Sequence, residues 1–116
     1  MMKWLCLTAL CSSALTLLVL KAAAPAQSVK LENPKVLVTE VTYAPGEPRP
    51  RGVRQHDQVI VFLDDCQYER LDPQTGQKTI RERKSGDVIW HDKGEDAPQL
   101  TNRGKKAYRT MVIELK

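Results

Sequence analysis

The sequence predicts a domain built only from β-strands, and three observations support this class. Short runs of β-branched and other apolar residues recur after residue 34, several with the period-2 alternation of a strand. Prolines and glycines separate these runs, as turns between antiparallel strands require. No segment beyond residue 27 keeps an apolar helical period over three turns. With 116 residues, the chain has room for one such domain.

Residues 1–26 are predicted to be a secretory signal peptide. Lys3 precedes an apolar run from Trp4 to Leu20, and small residues in Ala-x-Ala spacing follow. Cleavage after Ala24 or after Ala26 fits this pattern, and the mature protein is expected in the periplasm or outside the cell. The alternative is an uncleaved anchor, for which the apolar run is short. Contact with a membrane is expected only through that uncleaved segment.

The mature chain is close to charge balance. Removing Lys3 and Lys21 from the 18 basic residues leaves 16, against 14 acidic ones, and the two signs are interspersed. This balance argues against a nucleic-acid partner. Because Cys6 and Cys11 fall within the signal segment, Cys66 has no partner for an internal disulfide. The domain must therefore be held together by its core.

The first half of the mature chain predicts two strands. Residues 27–34 are polar and are expected to form a flexible lead-in to a domain that covers residues 35–116. A β-branched run predicts a strand over Lys35–Tyr43. The proline-rich stretch that follows, up to Gly52, is expected to be irregular. Gln58–Leu63 is apolar in both phases, which is typical of a strand buried on one face and covered on the other.

The second half predicts a hairpin and two further strands. Cys66–Leu71 and Lys78–Arg83 flank a polar loop with an early proline and a late glycine, which favours a hairpin. Its many charges indicate a solvated sheet edge. Val88–Trp90 is a short strand, a loop is expected over 91–100, and Ala107–Leu115 forms the closing strand.

Several short segments, taken in order, resemble those of a small single-domain cupin. They are Tyr43-Ala44-Pro45-Gly46, Val59-Ile60-Val61-Phe62-Leu63, Asp72-Pro73-Gln74-Thr75-Gly76, Lys84-Ser85-Gly86-Asp87-Val88-Ile89-Trp90, Asn102-Arg103-Gly104 and Val112-Ile113-Glu114-Leu115-Lys116. The resemblance implies a small antiparallel jelly-roll β-barrel over residues 35–116. In that family, two histidines and an acidic residue from one strand, with a third histidine near the end, commonly bind a metal.

The metal ligands that this resemblance implies are largely missing. The region before the second strand holds one histidine, His56, and the expected ligand positions fall near Val53 and Gln55. The third histidine is replaced by Ala97 or Pro98. No cofactor is therefore expected.

The alternative is a divalent transition metal bound by His56, Asp57 and His91. Two histidines and one carboxylate form a ligand set that suits non-haem iron. Because His56 and Asp57 are adjacent, an extended strand would point their side chains to opposite faces.

Two hypotheses of function follow from these observations. The first is an exported, non-catalytic domain that binds a small molecule or a protein partner without metal, with a homodimer formed through sheet edges or outer faces. The second is a metal-dependent cupin enzyme of the oxygenase or isomerase type.

The candidate ligand-binding residues of the first hypothesis combine guanidinium, amide, imidazole and indole groups. Arginines suit an anionic or hydroxylated ligand, and Trp90 is expected either to form a flat apolar wall or to fill the core. Solvated arginines are the alternative. The candidates are Arg51, Arg54, Gln55, His56 and Trp90.

Overall fold

The computed structural model describes residues 25–116, and these residues form strands, turns and loops without a helix. Accordingly, none of them belongs to a helix with the length and apolar character needed to cross a bilayer. The predicted signal peptide lies almost entirely outside the described residues. Eleven strands occur in the described part, and their bounds are β1 Ala26–Glu32, β2 Val36–Tyr43, β3 Pro48–Arg49, β4 Gly52–Val53, β5 Asp57–Phe62, β6 Cys66–Leu71, β7 Lys78–Arg83, β8 Val88–His91, β9 Asp96–Ala97, β10 Gln99–Asn102 and β11 Tyr108–Leu115.

The strands form two main sheets and one small one. The larger sheet has the order β1-β2-β11-β5-β8, and the smaller main sheet has the order β3-β10-β6-β7. Strands β4 and β9 pair separately. All paired strands are antiparallel. The prediction of an antiparallel all-β domain is confirmed.

The core lies between the two main sheets and is largely aromatic. Along β5, the buried residues alternate with half-buried ones, so that Ile60 and Phe62 point inward. Phe62 is only 4% exposed, as predicted from its strand. Its ring stacks on that of Tyr68 from the opposite sheet, with centroids 6.2 Å apart. Tyr108 stacks on Tyr43 at 4.8 Å, which closes one end of the core.

Asn102 ties the two main sheets together. Its side chain on β10 is almost fully buried, and its amide nitrogen donates hydrogen bonds to the carbonyl oxygens of Tyr43 and Lys106, each at 2.9 Å. Its amide oxygen accepts a hydrogen bond from Gly104 N at 2.9 Å. The Asn-Arg-Gly segment is therefore a turn whose first side chain satisfies three backbone groups.

The predicted hairpin of Cys66–Leu71 with Lys78–Arg83 is confirmed, and the two strands pair over their full length. Cys66 lies opposite Arg83, and Leu71 lies opposite Lys78. The Asp72 carboxylate accepts hydrogen bonds from the backbone N–H groups of the two residues after Pro73, which fixes the turn.

Two segments expected to be irregular contain strands. Residues 27–34 include most of β1, which pairs with β2 along its length although all its side chains are exposed. Its polar sequence fits a sheet edge, where backbone pairing needs no buried side chain. The proline-rich stretch contains β3 and β4, and its Pro48 begins β3 at a sheet edge, where a proline interrupts no ladder. The loop expected over 91–100 likewise contains β9 and the start of β10.

The prediction that Trp90 fills the core is wrong. Trp90 is 51% exposed, because Ile89 and His91 take the inner positions of β8. The indole N–H donates a hydrogen bond to the Asp92 carboxylate at 2.8 Å. Cross-strand pairing places Trp90 in a row of apolar side chains over the outer face of the larger sheet, and that row continues through Val59, Ile113, Val38 and Leu31.

Candidate functional site

A cavity of about 330 Å³ lies between the two main sheets. This volume is at the lower end of the range typical of small-molecule sites. The larger sheet supplies a mostly apolar floor that includes Ile60, Phe62, Ile89 and Tyr108. Burial raises the pKa of the Tyr108 hydroxyl, so this group stays protonated at neutral pH.

Five arginines line the same cavity, and most of them come from the smaller sheet. They are Arg49, Arg54, Arg70, Arg81 and Arg83. On each strand of the hairpin, residues two apart share a face, and this places Arg70 beside Tyr68 and Arg83 beside Arg81. Arg83 Nε donates a hydrogen bond to the Tyr68 hydroxyl at 3.3 Å, and its guanidinium carbon lies 5.7 Å from the Phe62 ring centroid.

Arg54 is the most deeply buried of these arginines, at 8% exposure. Its Nη1 donates a 2.7 Å hydrogen bond to Gln58 Oε1, and Gln58 Nε2 in turn donates to Glu114 at 3.3 Å. Burial, and to a lesser extent the neighbouring Arg49, lower the pKa of Arg54, while Glu95 acts in the opposite direction. The Arg54 guanidinium thus bonds to a neutral amide, while the Glu95 carboxylate favours its charged form without forming an ion pair with it.

Some polar atoms of the cavity wall are buried without a protein partner. In residues 25–116, these are Arg49 Nε, Arg54 Nε and Thr110 Oγ1. A buried polar group without a hydrogen bond costs about 1–3 kcal/mol. Their concentration around one cavity indicates a site whose polar groups are arranged for something other than internal pairing.

His91 lines the cavity beside Gln58, its cross-strand neighbour on β5. Its Nδ1 is 2.9 Å from Glu95 Oε2, and this contact holds the pKa of Glu95 below its usual range. The backbone around Glu95 also clamps Arg54, because Arg54 N donates to Glu95 O at 3.0 Å and Gly94 N donates to Arg54 O at 2.9 Å. One short loop therefore positions both an imidazole and a buried guanidinium.

Arginines outside the cavity have a different environment. Arg51 forms a bidentate contact with the Asp96 carboxylate at 3.1 Å, and Arg109 contacts Asp64 at 3.0 Å. By contrast, none of the described acidic residues lines the cavity, and no ion pair within residues 25–116 involves a cavity arginine.

The structure places the predicted ligand-binding residues in different environments. Arg54 lines the cavity, whereas Arg51 pairs with Asp96 on the surface. Gln55 is exposed and contacts the Val53 carbonyl oxygen at 3.4 Å. His56 Nδ1 lies 3.5 Å from Glu114 at the margin of the Arg54 network, and Trp90 faces outward, away from the cavity.

The three alternative metal ligands do not converge. Asp57 accepts a hydrogen bond from the backbone N–H of Lys93, whereas His56 contacts Glu114 and His91 contacts Glu95. Across residues 25–116, no group of three or more histidine, cysteine, aspartate or glutamate side chains could hold a metal ion. The donors that are present therefore do not form the metal site that the cupin resemblance implies. That the protein needs no cofactor stays a prediction.

Cys66 is not activated as a nucleophile. Burial raises the pKa of its thiol to about 11, with Asp64 and Asp65 adding a smaller effect in the same direction. The thiol is therefore protonated at neutral pH.

Sequence reasoning missed four of the residues that line or support the cavity. The predicted sheet edge is present, because β7 is an edge strand and Arg81 is exposed, but Arg70, Arg81 and Arg83 also line the cavity, which was not predicted. The fourth residue is Gln58, which bonds to Arg54. The available signal was the alternation that puts Arg70 in phase with an aromatic residue, Tyr68.

Solved structures with the same architecture are similar to this chain over most of its length. A cupin domain from Bordetella pertussis has a TM-score of 0.72 at 19% identity, covering 80% of this chain and 94% of that one. A conserved protein with a double-stranded β-helix domain from Klebsiella pneumoniae has a TM-score of 0.61 at 20% identity, covering 81% and 79%. A cupin family protein from Methanocaldococcus jannaschii has a TM-score of 0.62 at 12% identity, covering 81% and 82%.

No family model matches the sequence, and no curated protein matches it either. Identities of 12–20% establish the fold and nothing finer. The expected jelly-roll architecture is confirmed at this level, and the chain has the cupin fold, a double-stranded β-helix.

Proposed function

We propose that this cupin-fold domain is an exported module that binds a small anionic molecule in its arginine-lined cavity, without metal and without catalysing a reaction. The export part of this proposal rests on the signal peptide that the sequence predicts. One observation carries the binding part. Five arginines and His91 line the cavity, and none of the described acidic residues does.

Electrostatics favour a ligand-binding role for these arginines over a structural one. Like charges gathered around one cavity repel each other and reduce stability unless an opposite charge is supplied. Guanidinium groups bind carboxylate, phosphate and sulfate through paired, charge-assisted hydrogen bonds. A small anion bound in the cavity would add to the opposite charge of Glu95, which acts on Arg54 and His91 from outside the lining.

The cavity lining supports binding without chemistry. Its residues include no serine, cysteine, aspartate or glutamate side chain, and the nearby Cys66 thiol has its pKa raised to about 11. Nucleophilic catalysis needs a nucleophile beside a base. The metal-dependent alternative lacks support from the described donors, which do not converge.

The outer face of the larger sheet bears on the protein-partner alternative. Its most exposed apolar residues are Val88, Leu31 and Trp90, at 60%, 53% and 51%. The apolar row through Trp90 crosses five strands, and the neighbouring row is apolar over three, at Val88, Val61 and Met111. With strand spacings of about 4.8 Å and a rise of about 3.4 Å per residue, the two rows cover at most roughly 24 Å by 14 Å. This area is below the ~800 Å² that each partner of a stable complex buries. We therefore propose small-molecule binding in the cavity over protein binding on the outer face. The homodimer stays a prediction.

Thermal unfolding in the presence of small anions tests the proposal. We expect benzoate, citrate or sulfate to raise the melting temperature at constant ionic strength, whereas choline and glucose leave it unchanged. A ligand at 100 times its Kd stabilises the native state by about 2.7 kcal/mol, which is readily measured. Equal effects of cations and anions would contradict an anion site.

Matched arginine variants locate the site. Arg54→Gln and Arg70→Gln should each reduce the anion-induced shift, because both guanidinium groups line the cavity. Arg109→Gln removes the same charge from the outer surface and should leave the shift unchanged. If the shift in melting temperature falls equally in all three variants, the anion stabilises the protein through its net charge and not through the cavity.

A further inference from the structure

Four of the five cavity arginines form two pairs near opposite edges of the smaller sheet, and the fifth, Arg70, lies on β6 beside the β7 edge. Arg49 lies on β3 with Arg54 near it, and we call these two the β3-side pair. Arg81 and Arg83 lie on β7 and form the β7-side pair. Strands β3 and β7 are the two edges of this sheet, with β10 and β6 between them. Three strand spacings separate the edges, or about 14 Å along the sheet.

Apolar and aromatic side chains occupy the space between the two pairs. Register places Leu100 directly between Arg49 and Arg70, one strand from each. The rings of Phe62 and Tyr68 stack below, and both line the cavity. From β3 to β7, the wall of the cavity is therefore cationic at Arg49, apolar at Leu100, and cationic again from Arg70 to the β7-side pair.

Both pairs keep hydrogen-bond donors for a ligand. A guanidinium group has five N–H donors. Arg49 uses one on the Pro98 carbonyl oxygen, Arg54 uses one on Gln58, and Arg83 uses one on the Tyr68 hydroxyl. For Arg81, the described residues provide no hydrogen-bond partner within the chain, and its side chain is exposed at the cavity margin.

A single anionic group cannot serve both pairs. A carboxylate or phosphate binds one or two adjacent guanidinium groups at about 2.7–2.9 Å. Arg54 is held at Gln58 and Arg83 lies over Phe62, and these two inner residues are four positions, or about 14 Å, apart along β5. We infer that the ligand is a dianion whose two anionic groups are held apart by a short flat or apolar body, with one group at the β3-side pair and the other at the β7-side pair. This inference rests on the proposed function and goes beyond it by fixing the number and spacing of the charges.

Isothermal titration with ligands of equal shape and different charge tests the inference. The probes are terephthalate, its monomethyl ester and benzoate, with adipate and monomethyl adipate as a flexible series. We expect the dianion to bind at least about 10-fold more tightly than its monoester in one or both series, as one added charge-assisted pair implies. If monoester and dianion bind equally in both series, the inference is overturned although anion binding stands. If none of these probes nor sulfate binds, the proposed function itself fails.

Variants at each pair sharpen the result. Arg81→Gln and Arg49→Gln should each remove most of the advantage of the dianion over its monoester, because each deletes donors at one end. Arg109→Gln, whose guanidinium pairs with Asp64 on the outer surface, should leave that advantage intact. An advantage that survives both cavity variants would show that the second charge is bound elsewhere, and this outcome would also overturn the inference.

Discussion

The two main sheets contribute different chemistry to the same cavity. The larger sheet supplies Ile60, Phe62, Ile89 and Tyr108, which form the floor and most of the core. The smaller sheet supplies four of the five arginines. An arginine that does lie on the larger sheet, Arg109, points outward and pairs with Asp64.

Because of this difference, we expect the larger sheet to contribute mainly to stability and the smaller sheet mainly to ligand binding. Apolar burial on the larger sheet supplies folding free energy at about 25 cal/mol per Å². The arginines of the smaller sheet, three half-buried and Arg81 exposed, bring like charges together around a cavity whose lining has no carboxylate. This costs free energy unless a ligand compensates. We therefore expect substitutions on the larger sheet to change stability, and substitutions of cavity arginines to change binding.

The largest expected effect is the loss of Phe62. Phe62→Ala removes a ring that is 4% exposed and stacks on Tyr68, and it should cost about 3–5 kcal/mol of unfolding free energy. Against a total of roughly 5–15 kcal/mol, a marginal domain would unfold. Urea denaturation measures this, with Val61→Ala as the control, because Val61 lies half-buried on the outer face of the same strand. An unchanged midpoint for Phe62→Ala would contradict the core described above.

The next effect concerns Asn102, which joins the two sheets. Asn102→Ala leaves the carbonyl oxygens of Tyr43 and Lys106 and the N–H of Gly104 without this partner. At about 1 kcal/mol for each hydrogen bond and more for a group left unsatisfied, the cost should be roughly 2–4 kcal/mol.

Asn33 provides a matched control for that measurement. Its amide oxygen also accepts backbone hydrogen bonds, from Lys35 and Val36, but it does so on the surface, where water can replace it. Asn33→Ala should cost less than half as much. Equal costs would mean that Asn102 does not link the sheets in the way described.

The all-β fold could be predicted from the sequence, because short β-branched and apolar runs recur between proline- and glycine-containing turns. The strands themselves could be predicted, but the inner residues of β5 could not, because Val59 and Val61 on its outer face are as apolar as Ile60 and Phe62 on its inner face. The fold was also indicated by short turn segments such as the one that begins at Asn102. Backbone pairing without side-chain burial, as in β1, leaves no such pattern and was therefore missed.

The site was harder to predict, because a period of two shows which residues share a face and not what that face meets. Arg81 and Arg83 share a face whether it meets water or a cavity, and only the packing of the two sheets decides between them. At Val88-Ile89-Trp90, all three positions are apolar, so the pattern carries no phase and Trp90 was assigned to the wrong side.

A smaller effect is expected for the stability of a cavity-arginine variant. Arg81→Gln should change the unfolding free energy by no more than about 0.5 kcal/mol, or raise it slightly, because Arg81 is exposed and its near charged neighbours include Arg83. Thermal unfolding without added anion measures this. Arg83→Gln is the comparison, and it should be the less stable variant, because it loses the contacts with Tyr68 and Phe62. A strongly destabilised Arg81→Gln would show that this arginine is structural.

The smallest effect concerns the outer ion pair and appears only as a dependence on pH. Hydrogen bonds from the Arg109 side chain hold the pKa of the Asp64 carboxyl below its usual range. Because the folded-state pKa is the lower one, the pair stabilises the protein above the ordinary aspartate pKa of about 3.9, and that stabilisation is lost as the pH falls below it. Arg109→Gln should therefore melt slightly below the wild type at pH 7 and at the same temperature near pH 2. The difference at pH 7 should also shrink in high salt, because both partners are exposed to solvent. A difference that persists at pH 2 would assign the effect to packing of the Arg109 side chain, and the contrast between a paired outer arginine and the unpaired cavity arginines would then need another basis.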